Sequence, residues 1–324
     1  MKKWNPFRQI AARLSKDDME LLGIERTMRL AKKFNRFRYG RHHRRREQYF
    51  RDEFERLLAE HANGSVAHNV REMKDGWLLD TSHSLPYLDQ LIADAEVVIA
   101  ERGGRPPTPT GKPFIIDIAK PADLDRFPPF LTFALSAPVL TIVSKYLGFV
   151  PMLSTTMPPG LRLTESSSKY DPGADGPYRE SQLYHLDHHD TPLVYIIVLL
   201  RDVTTESGPF TFLPLSASER AAKALNYRKQ GAAYRISDEQ MYSVVNEKEA
   251  IPFTGSKGDV LFLDSSRCFH YGSRNCAIPR YQMMYAYVSS CRTDFSDILV
   301  KPRVYTQRPT DSRLRRMLLT RNFS

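Results

Sequence analysis

One short segment of this sequence carries histidine and aspartate at a spacing that suits metal binding. His185 and Asp187 stand two residues apart in the run YHLDHHD at residues 184–190. In an extended strand alternate side chains point to the same face, so both could reach one ion while Leu186 points away. By itself this pattern is weak evidence, because a single histidine is more often a hydrogen-bonded core residue.

A metal centre of this kind needs a third ligand from elsewhere in the fold. His270 is the candidate, because it follows a predicted strand at residues 259–264 and its continuation through Cys268. Two histidines, one carboxylate and open coordination positions suit Fe(II) that activates oxygen. The three residues therefore predict a non-haem iron centre.

Arg280 lies ten residues after His270. If His270 ends one strand and Arg280 begins its antiparallel partner, a hairpin returns the guanidinium to the metal. A guanidinium pairs with a carboxylate through two hydrogen bonds, which suits an organic acid as co-substrate. A surface salt bridge is the alternative role for Arg280, and Arg274 is an alternative partner for the acid.

Other polar residues near the first ligand are secondary candidates. Gln182 could hydrogen-bond the co-substrate, although strand alternation places it opposite His185 unless a bulge intervenes. His189 shares the face of the ligands and His188 is expected to point away, but exposed positions at a strand end are an equal alternative for both. Tyr195 is expected to be a core or pocket-wall aromatic.

The elements that must position these residues are helical first and β-rich later. Helical patterns cover residues 87–102 and residues 136–147, the second with Ser136 as N-cap and Gly148 as its stop. After Gly160 the sequence predicts strands, which cover residues 193–200, 210–213, 259–264 and 281–289. This order predicts a β core covered by helices.

Composition indicates a globular protein rather than a fibrous or disordered one. Hydrophobic residues make up 41% of the 324 residues and aromatics 11%. The three cysteines match neither a zinc pattern nor a disulfide framework. Together with the lack of an apolar leader, they predict a cytoplasmic protein.

Positive charge is concentrated in the two ends of the chain. The net charge of +10 divides into +9 for residues 1–56, +6 for residues 301–324 and −5 between them. Ten lysines and arginines between Arg26 and Arg46 accompany apolar residues at helical spacing, which predicts a basic amphipathic helix or pair of helices. It is either a solvated face packed on the core or a peripheral contact for an anionic membrane or polyanion. Nucleic acid is not expected, because the basic run lacks an aromatic stacking pattern.

Four blocks, in order and spacing, resemble the phytanoyl-CoA dioxygenase family of Fe(II)- and 2-oxoglutarate-dependent oxygenases. They are residues 181–187, residues 200–214, residues 257–264 leading to His270, and Arg280. The resemblance covers about residues 75–290. It implies a mainly β fold with flanking helices, whose core is a double-stranded β-helix, or cupin-like jelly roll, with the metal in the mouth between its sheets.

The resemblance also implies cofactors and a reaction. Fe(II) would bind His185, Asp187 and His270, and 2-oxoglutarate would place its far carboxylate on Arg280. With O2 as the second co-substrate, the products would be succinate, CO2 and a substrate hydroxylated at an unactivated C–H bond. That substrate would be a small molecule, a lipid or a sugar-like compound. The retained Asp187 argues against halogenation, because related halogenases replace this carboxylate.

One departure from the family pattern concerns the substrate. Many relatives have Pro-Gly-Ser-His where this chain has Pro-Leu-Ser-Ala at residues 214–217, so the following loop, residues 218–240, is expected to differ. We expect three parts: a basic helical extension at residues 1–65, the dioxygenase domain at residues 66–300 and a basic tail at residues 301–324. A non-catalytic β-barrel binding protein of the same fold is the alternative function.

Overall fold

The computed structural model describes residues 6–16, 19–61, 71–105, 112–229 and 231–321. Its helices are α1 (Pro6–Leu14), α2 (Ile24–Asp52), α3 (Phe54–His61), α4 (Leu88–Arg102), α5 (Asp123–Arg126), α6 (Pro129–Ala134), α7 (Ala137–Leu147), α8 (Leu215–Ala224), α9 (Asp238–Tyr242), α10 (Ser296–Leu299) and α11 (Arg313–Leu319). Its strands are β1 (Trp77–Asp80), β2 (Ile115–Asp117), β3 (Met152–Leu153), β4 (Leu161–Ser166), β5 (Val194–Leu199), β6 (Thr211–Phe212), β7 (Ile251–Pro252), β8 (Val260–Asp264), β9 (His270–Tyr271) and β10 (Arg280–Val288).

These strands form two antiparallel sheets of unequal size. The large sheet has the order β1-β8-β5-β10-β4-β2, with β3 also paired to β10, and the small sheet has the order β7-β6-β9. Helices contain more of the described residues than strands do. The fold is therefore a mixed helix and antiparallel-sheet structure, with more helix than the strand-rich pattern of the sequence indicated.

Alternation along β5 explains why its sequence is an uninterrupted apolar run. Val194, Ile196 and Val198 pack in the core beneath the helices. The intervening residues Tyr195, Ile197 and Leu199 pack in a second core with side chains of the small sheet, such as Phe212. A strand that is buried on both faces loses the apolar–polar alternation of a half-exposed strand. The predicted strand at residues 193–200 is confirmed.

The same alternation in β10 decides which of its side chains can reach a site between the sheets. Tyr285 and Tyr287 point to the helical side, where their hydroxyls donate to the carbonyls of Phe130 (2.7 Å) and Ala134 (2.7 Å) in α6. Arg280, an odd number of residues away, belongs to the other face. The strand thus fixes α6 with one face and presents Arg280 on the other.

The two helices predicted near the middle of the chain are confirmed. The second is α7, which follows Ser136 and ends at Gly148, whose φ of 75° is the left-handed conformation that glycine tolerates best. The first is α4, which begins one residue after the predicted start and ends at the predicted residue. Among the described residues, no helix combines the length and apolar character needed to cross a membrane.

The basic helix predicted near the N-terminus is α2, and the core side of that helix is well defined. Ile24, Met28 and Ala31 are buried. Asn35 donates to the carbonyls of Arg292 and Asp294, each over 2.9 Å, which joins α2 to the segment that follows β10. One alternative for this helix was a solvated face packed on the core. The structure contains this packing, and the opposite face of α2 is exposed.

Candidate metal centre and its pocket

His185, Asp187 and His270 come together in the structure. His185 and His270 form an isolated antiparallel bridge in which each backbone N–H donates to the other carbonyl over 3.1 Å. One ligand atom from each of the three side chains lies within 4.8 Å of the others, and His270 Nε2 is 3.7 Å from Asp187 Oδ2. The three residues predicted as metal ligands thus form one compact cluster.

Backbone carbonyls fix the tautomer of both histidines. His185 Nδ1 lies 2.9 Å from the carbonyl oxygen of Leu183, and His270 Nδ1 lies 3.0 Å from that of Cys268. A carbonyl can only accept, so each Nδ1 carries the proton and each Nε2 keeps its lone pair. Such orientation of the ligand ring by a second hydrogen bond is usual at metal sites.

The charge state of the cluster also suits a cation. Burial lowers the pKa of His185 well below its usual range, with the charge of His270 as the next cause, and burial lowers the pKa of His270 too. Burial alone would raise the pKa of Asp187, but the two histidines His270 and His189 lower it overall. At neutral pH the cluster therefore offers two neutral rings and one carboxylate.

One oxygen of this carboxylate lacks a partner in the described part of the chain. Asp187 Oδ2 is buried, and none of the described residues donates a hydrogen bond to it. A buried carboxylate oxygen without a donor is costly unless a cation completes it. Asp187 Oδ2 and the Nε2 atoms of His185 and His270 fit a divalent metal held by two histidines and one carboxylate.

The segment that carries the first two ligands is less regular than the sequence predicted. Residues 186–190 lie outside any strand, so the regular alternation of side chains does not extend past His185. The prediction that His188 points away is wrong, because His188 and His189 both line the pocket beside the cluster. His188 bonds to the Tyr234 hydroxyl (3.0 Å) and His189 to Asp294 (2.8 Å).

Arg280 lies in the same pocket as a deeply buried cation. It is 2% exposed, and burial lowers the pKa of its guanidinium to about 10. Its partners are neutral: the Gly208 carbonyl and the hydroxyls of Ser166 (3.2 Å) and Ser273 (3.3 Å), while Nε has none. Within the described chain no carboxylate forms an ion pair with it, so the guanidinium is prepared for an anion from outside.

The route by which Arg280 reaches the pocket differs from the predicted hairpin. His270 belongs to β9, which pairs with β6 in the small sheet, whereas Arg280 begins β10, which pairs with β3, β4 and β5 in the large one. The hairpin prediction is wrong, and residues 272–279 instead cross from one sheet to the other. Arg280 faces the pocket because of the alternation of β10.

Two alternative partners for the co-substrate are engaged elsewhere. Arg274 forms a two-pronged ion pair with Asp238 (2.8 and 2.9 Å) and lies over the Tyr271 ring. Gln182 is buried in a 3-10 turn, where its amide donates to the Ser273 carbonyl (2.9 Å) and accepts from the Arg179 N–H. The structure therefore places Gln182 behind the pocket wall, and it does not line the cavity with Arg280.

The cavity at the cluster has a volume of about 330 Å³. Phe210 lies against His270 with the two rings nearly parallel, and Tyr195 forms part of the wall, as its sequence position suggested. Sequence reasoning missed three cationic lining residues, which are Lys112, Arg162 and Arg235. Residue 112 precedes the short strand β2 and residue 235 lies in the connection between α8 and α9, so no local pattern marks either as part of a site.

Comparisons with known proteins give structural likenesses only. No family model matches the sequence, and no curated protein matches it. The solved structures that match include the non-heme alpha-ketoglutarate-dependent carbocyclase SnoK from nogalamycin biosynthesis, at 16% sequence identity and a TM-score of 0.43. That match covers 66% of this chain and 79% of the SnoK chain.

Two further matches have similar identities and TM-scores. The epimerase SnoN, crystallised with Fe3+, alpha-ketoglutarate and nogalamycin RO, matches at 15% identity and a TM-score of 0.46, and the match covers 80% of this chain and 93% of the SnoN chain. EctD from S. alaskensis, with 2-oxoglutarate and 5-hydroxyectoine, matches at 15% identity and a TM-score of 0.43, and the match covers 66% of this chain and 72% of the EctD chain. The function is therefore argued from the site itself.

Proposed function

We propose that this protein is a non-haem Fe(II)- and 2-oxoglutarate-dependent dioxygenase of the phytanoyl-CoA dioxygenase type. One observation carries the proposal: a ligand-competent cluster of His185, Asp187 and His270 shares a cavity with Arg280, a buried cation without an acidic partner among the residues that the structure describes. The metal ligands define a site for iron, and the cation defines a site for an organic acid. The two sheets would then be those of a double-stranded β-helix.

The reaction that we propose is oxidation of a substrate C–H bond to an alcohol. One O2 is consumed, one oxygen atom enters succinate as 2-oxoglutarate loses CO2, and the other enters the substrate. Bound iron would supply oxygen activation. His185, Asp187 and His270 hold the metal position, and Arg280 fixes the far carboxylate of 2-oxoglutarate. The carbonyls of Leu183 and Cys268 keep the imidazole Nε2 atoms directed at the metal position.

Conversion of 2-oxoglutarate to succinate tests this function directly. Purified protein with Fe(II) and ascorbate should release succinate, and Asp187→Ala should reduce the rate at least about a hundredfold because a metal ligand is lost. Asp89→Ala, an exposed change in α4, is the control and should keep the wild-type rate. A wild-type rate no higher than that of Asp187→Ala would favour the non-catalytic binding protein instead.

We also propose that the exposed face of α2 contacts an anionic membrane surface. Phe37 is 91% exposed and Leu30 is 44% exposed on this basic helix. Exposed arginines and lysines flank them, and Phe7 and Ile10 of α1 are exposed as well. Apolar side chains set among cations are typical of helices that lie in the headgroup layer. The cytoplasmic location stays a prediction.

Flotation with vesicles tests this surface. Wild-type protein should float with vesicles that contain phosphatidylserine, and Phe37→Asp should reduce flotation several-fold, while Val304→Asp, at a residue 87% exposed elsewhere, should not. Point variants suit this test better than removal of residues 1–56, because α2 contributes to the core. Retention on heparin without flotation would assign the face to a soluble polyanion and refute the membrane proposal.

A further inference from the structure

The pocket contains more positive charge than iron and 2-oxoglutarate would use. Lys112, Arg162 and Arg235 line the cavity with the triad and Arg280. Fe(II), the 2-oxoglutarate dianion, Asp187 and Arg280 would be neutral when taken together. The three further cations must therefore be balanced by other protein groups or by the substrate.

Arg162 has its own acidic partner. Its Nε lies 2.7 Å from Asp117 Oδ1, across the pairing of β4 with β2. The Asp117 charge is the second cause of the raised pKa of Arg162, after a burial effect that acts in the opposite direction. This pair is locally neutral, and Arg162 contributes to the wall rather than to an excess of charge.

Lys112 and Arg235 share one distant acid. Lys112 Nζ and Arg235 Nη2 each lie 3.9 Å from Glu180 Oε2, which exceeds the length of a hydrogen bond. Glu180 itself has a side chain that is 59% exposed, so water screens its charge. The pair of cations thus keeps a net positive charge on this side of the cavity.

Arg235 also has a donor without an acceptor. Its Nη1 is buried and has no hydrogen-bond partner among the described residues, although the guanidinium lies over the Tyr234 ring at 4.5 Å. Lys112 and Arg235 line the same cavity, and burial, followed by the charge of Arg235, lowers the pKa of Lys112. A buried guanidinium donor without an acceptor is costly, and an anionic ligand would supply the acceptor.

We propose that Lys112 and Arg235 bind an anionic group of the substrate, a carboxylate or a phosphate. This inference rests on the proposed oxygenase function and narrows its substrate to negatively charged molecules. Both residues come from connecting segments, where this fold can vary its specificity without changing the metal site. The substrate would be held at its charged end by Lys112 and Arg235, while Arg280 holds the co-substrate.

Binding of simple anions tests the proposal without knowledge of the natural substrate. Hexyl phosphate and hexanoate are the two anionic probes, and 1-hexanol is the neutral control, each titrated by calorimetry into protein with and without Fe(II) and 2-oxoglutarate under anaerobic conditions. At least one anion should bind about tenfold or more tightly than hexanol. The comparison of the two anions tells a phosphate site from a carboxylate site.

Matched variants assign the binding to the two residues. Arg235→Gln and Lys112→Gln should each weaken the preferred anion about tenfold or more and leave hexanol and 2-oxoglutarate affinity unchanged. Arg220→Gln, which removes an exposed arginine paired with Glu249, is the control and should bind as wild type. Wild-type anion affinity in both pocket variants would overturn the proposal.

Two outcomes separate this inference from the proposed function. If Arg235→Gln weakens 2-oxoglutarate rather than the probes, the cations belong to the co-substrate and the inference is wrong while the oxygenase function stands. If the protein binds neither Fe(II) nor 2-oxoglutarate but binds the anion through Arg235, the oxygenase function is wrong and the anion site stands.

Discussion

Arg280 shows how a single residue can indicate a ligand that the protein itself does not supply. Its guanidinium is buried, its hydrogen bonds go to a carbonyl and two hydroxyls, and its Nε has no acceptor within the described ranges of the chain. Burial of a charge without a counter-charge is among the more costly arrangements in a folded protein. A carboxylate from 2-oxoglutarate would offset this cost and gain two charge-assisted hydrogen bonds.

Replacement of Arg280 should therefore separate co-substrate binding from metal binding. We expect Arg280→Gln to raise the KM for 2-oxoglutarate about tenfold to a hundredfold, and to leave Fe(II) affinity in equilibrium dialysis unchanged. Arg201→Gln, an exposed arginine paired with Glu96, is the control. An unchanged KM would mean that another pocket cation holds the co-substrate.

At the scale of elements, Arg46 explains how the basic helix α2 is attached to the rest of the fold. This side chain is fully buried and donates to the carbonyls of Pro151 (2.9 Å) and of Met317 (2.7 Å) and Thr320 at the end of α11. The carbonyls at a helix C-terminus lack partners within the helix, and a cation there also interacts favourably with the helix dipole.

Replacement of Arg46 should thus lower the free energy of unfolding more than replacement of a neighbour on the same helix. We expect Arg46→Met to lower the free energy of unfolding by about 3 kcal/mol, because several buried carbonyls lose their donor. Arg44→Met, at an exposed position, should change it by less than about 0.5 kcal/mol. Urea unfolding measures both, and equal effects would contradict this role of Arg46.

The elements also show which parts of the fold the sequence could predict. The strands β5, β8 and β10 of the large sheet and the helices α4 and α7 follow from apolar pattern and capping residues, because both signals are local. The two-residue strand that holds His270 has no such signal. Nothing local shows that it pairs with β6 and not with β10, so the hairpin prediction failed although Arg280 was identified correctly as a pocket residue.

Sequence distance limits the prediction of the site in the same way. His185 and Asp187 can be recognised in the sequence because they stand two residues apart. His270 and Arg280 can be recognised because they follow in the expected order and lie ten residues apart. The second pair of cations, at residues 112 and 235, is brought together only by tertiary structure. The side of the pocket that we propose for the substrate could therefore not be predicted from sequence pattern.

At the scale of the whole molecule, the site draws its residues from both sheets. His270 belongs to the small sheet and Arg280 to the large one, while His185 and Asp187 come from the irregular segment beside them. A metal and a co-substrate bound at this place would therefore contact several separate parts of the fold at once.

Ligand binding should stabilise the whole protein in consequence. With Fe(II) and 2-oxoglutarate present anaerobically at about a hundred times their Kd, each should add about 2.7 kcal/mol to the free energy of unfolding. We expect a rise in Tm of several degrees that chelation with EDTA reverses and that Asp187→Ala lacks. The same rise in Asp187→Ala would place the bound metal elsewhere.

The proposed function requires that one cavity hold both Fe(II), on His185, Asp187 and His270, and 2-oxoglutarate, on Arg280. Anaerobic titration of the Fe(II)-loaded protein with 2-oxoglutarate measures whether it does, because a keto acid chelated to Fe(II) gives a visible charge-transfer band. We predict a saturable band at one equivalent in the wild type, no band in Asp187→Ala and a band at higher 2-oxoglutarate concentration in Arg280→Gln. If the wild-type protein binds both ligands without this band, they do not share one cavity in this way.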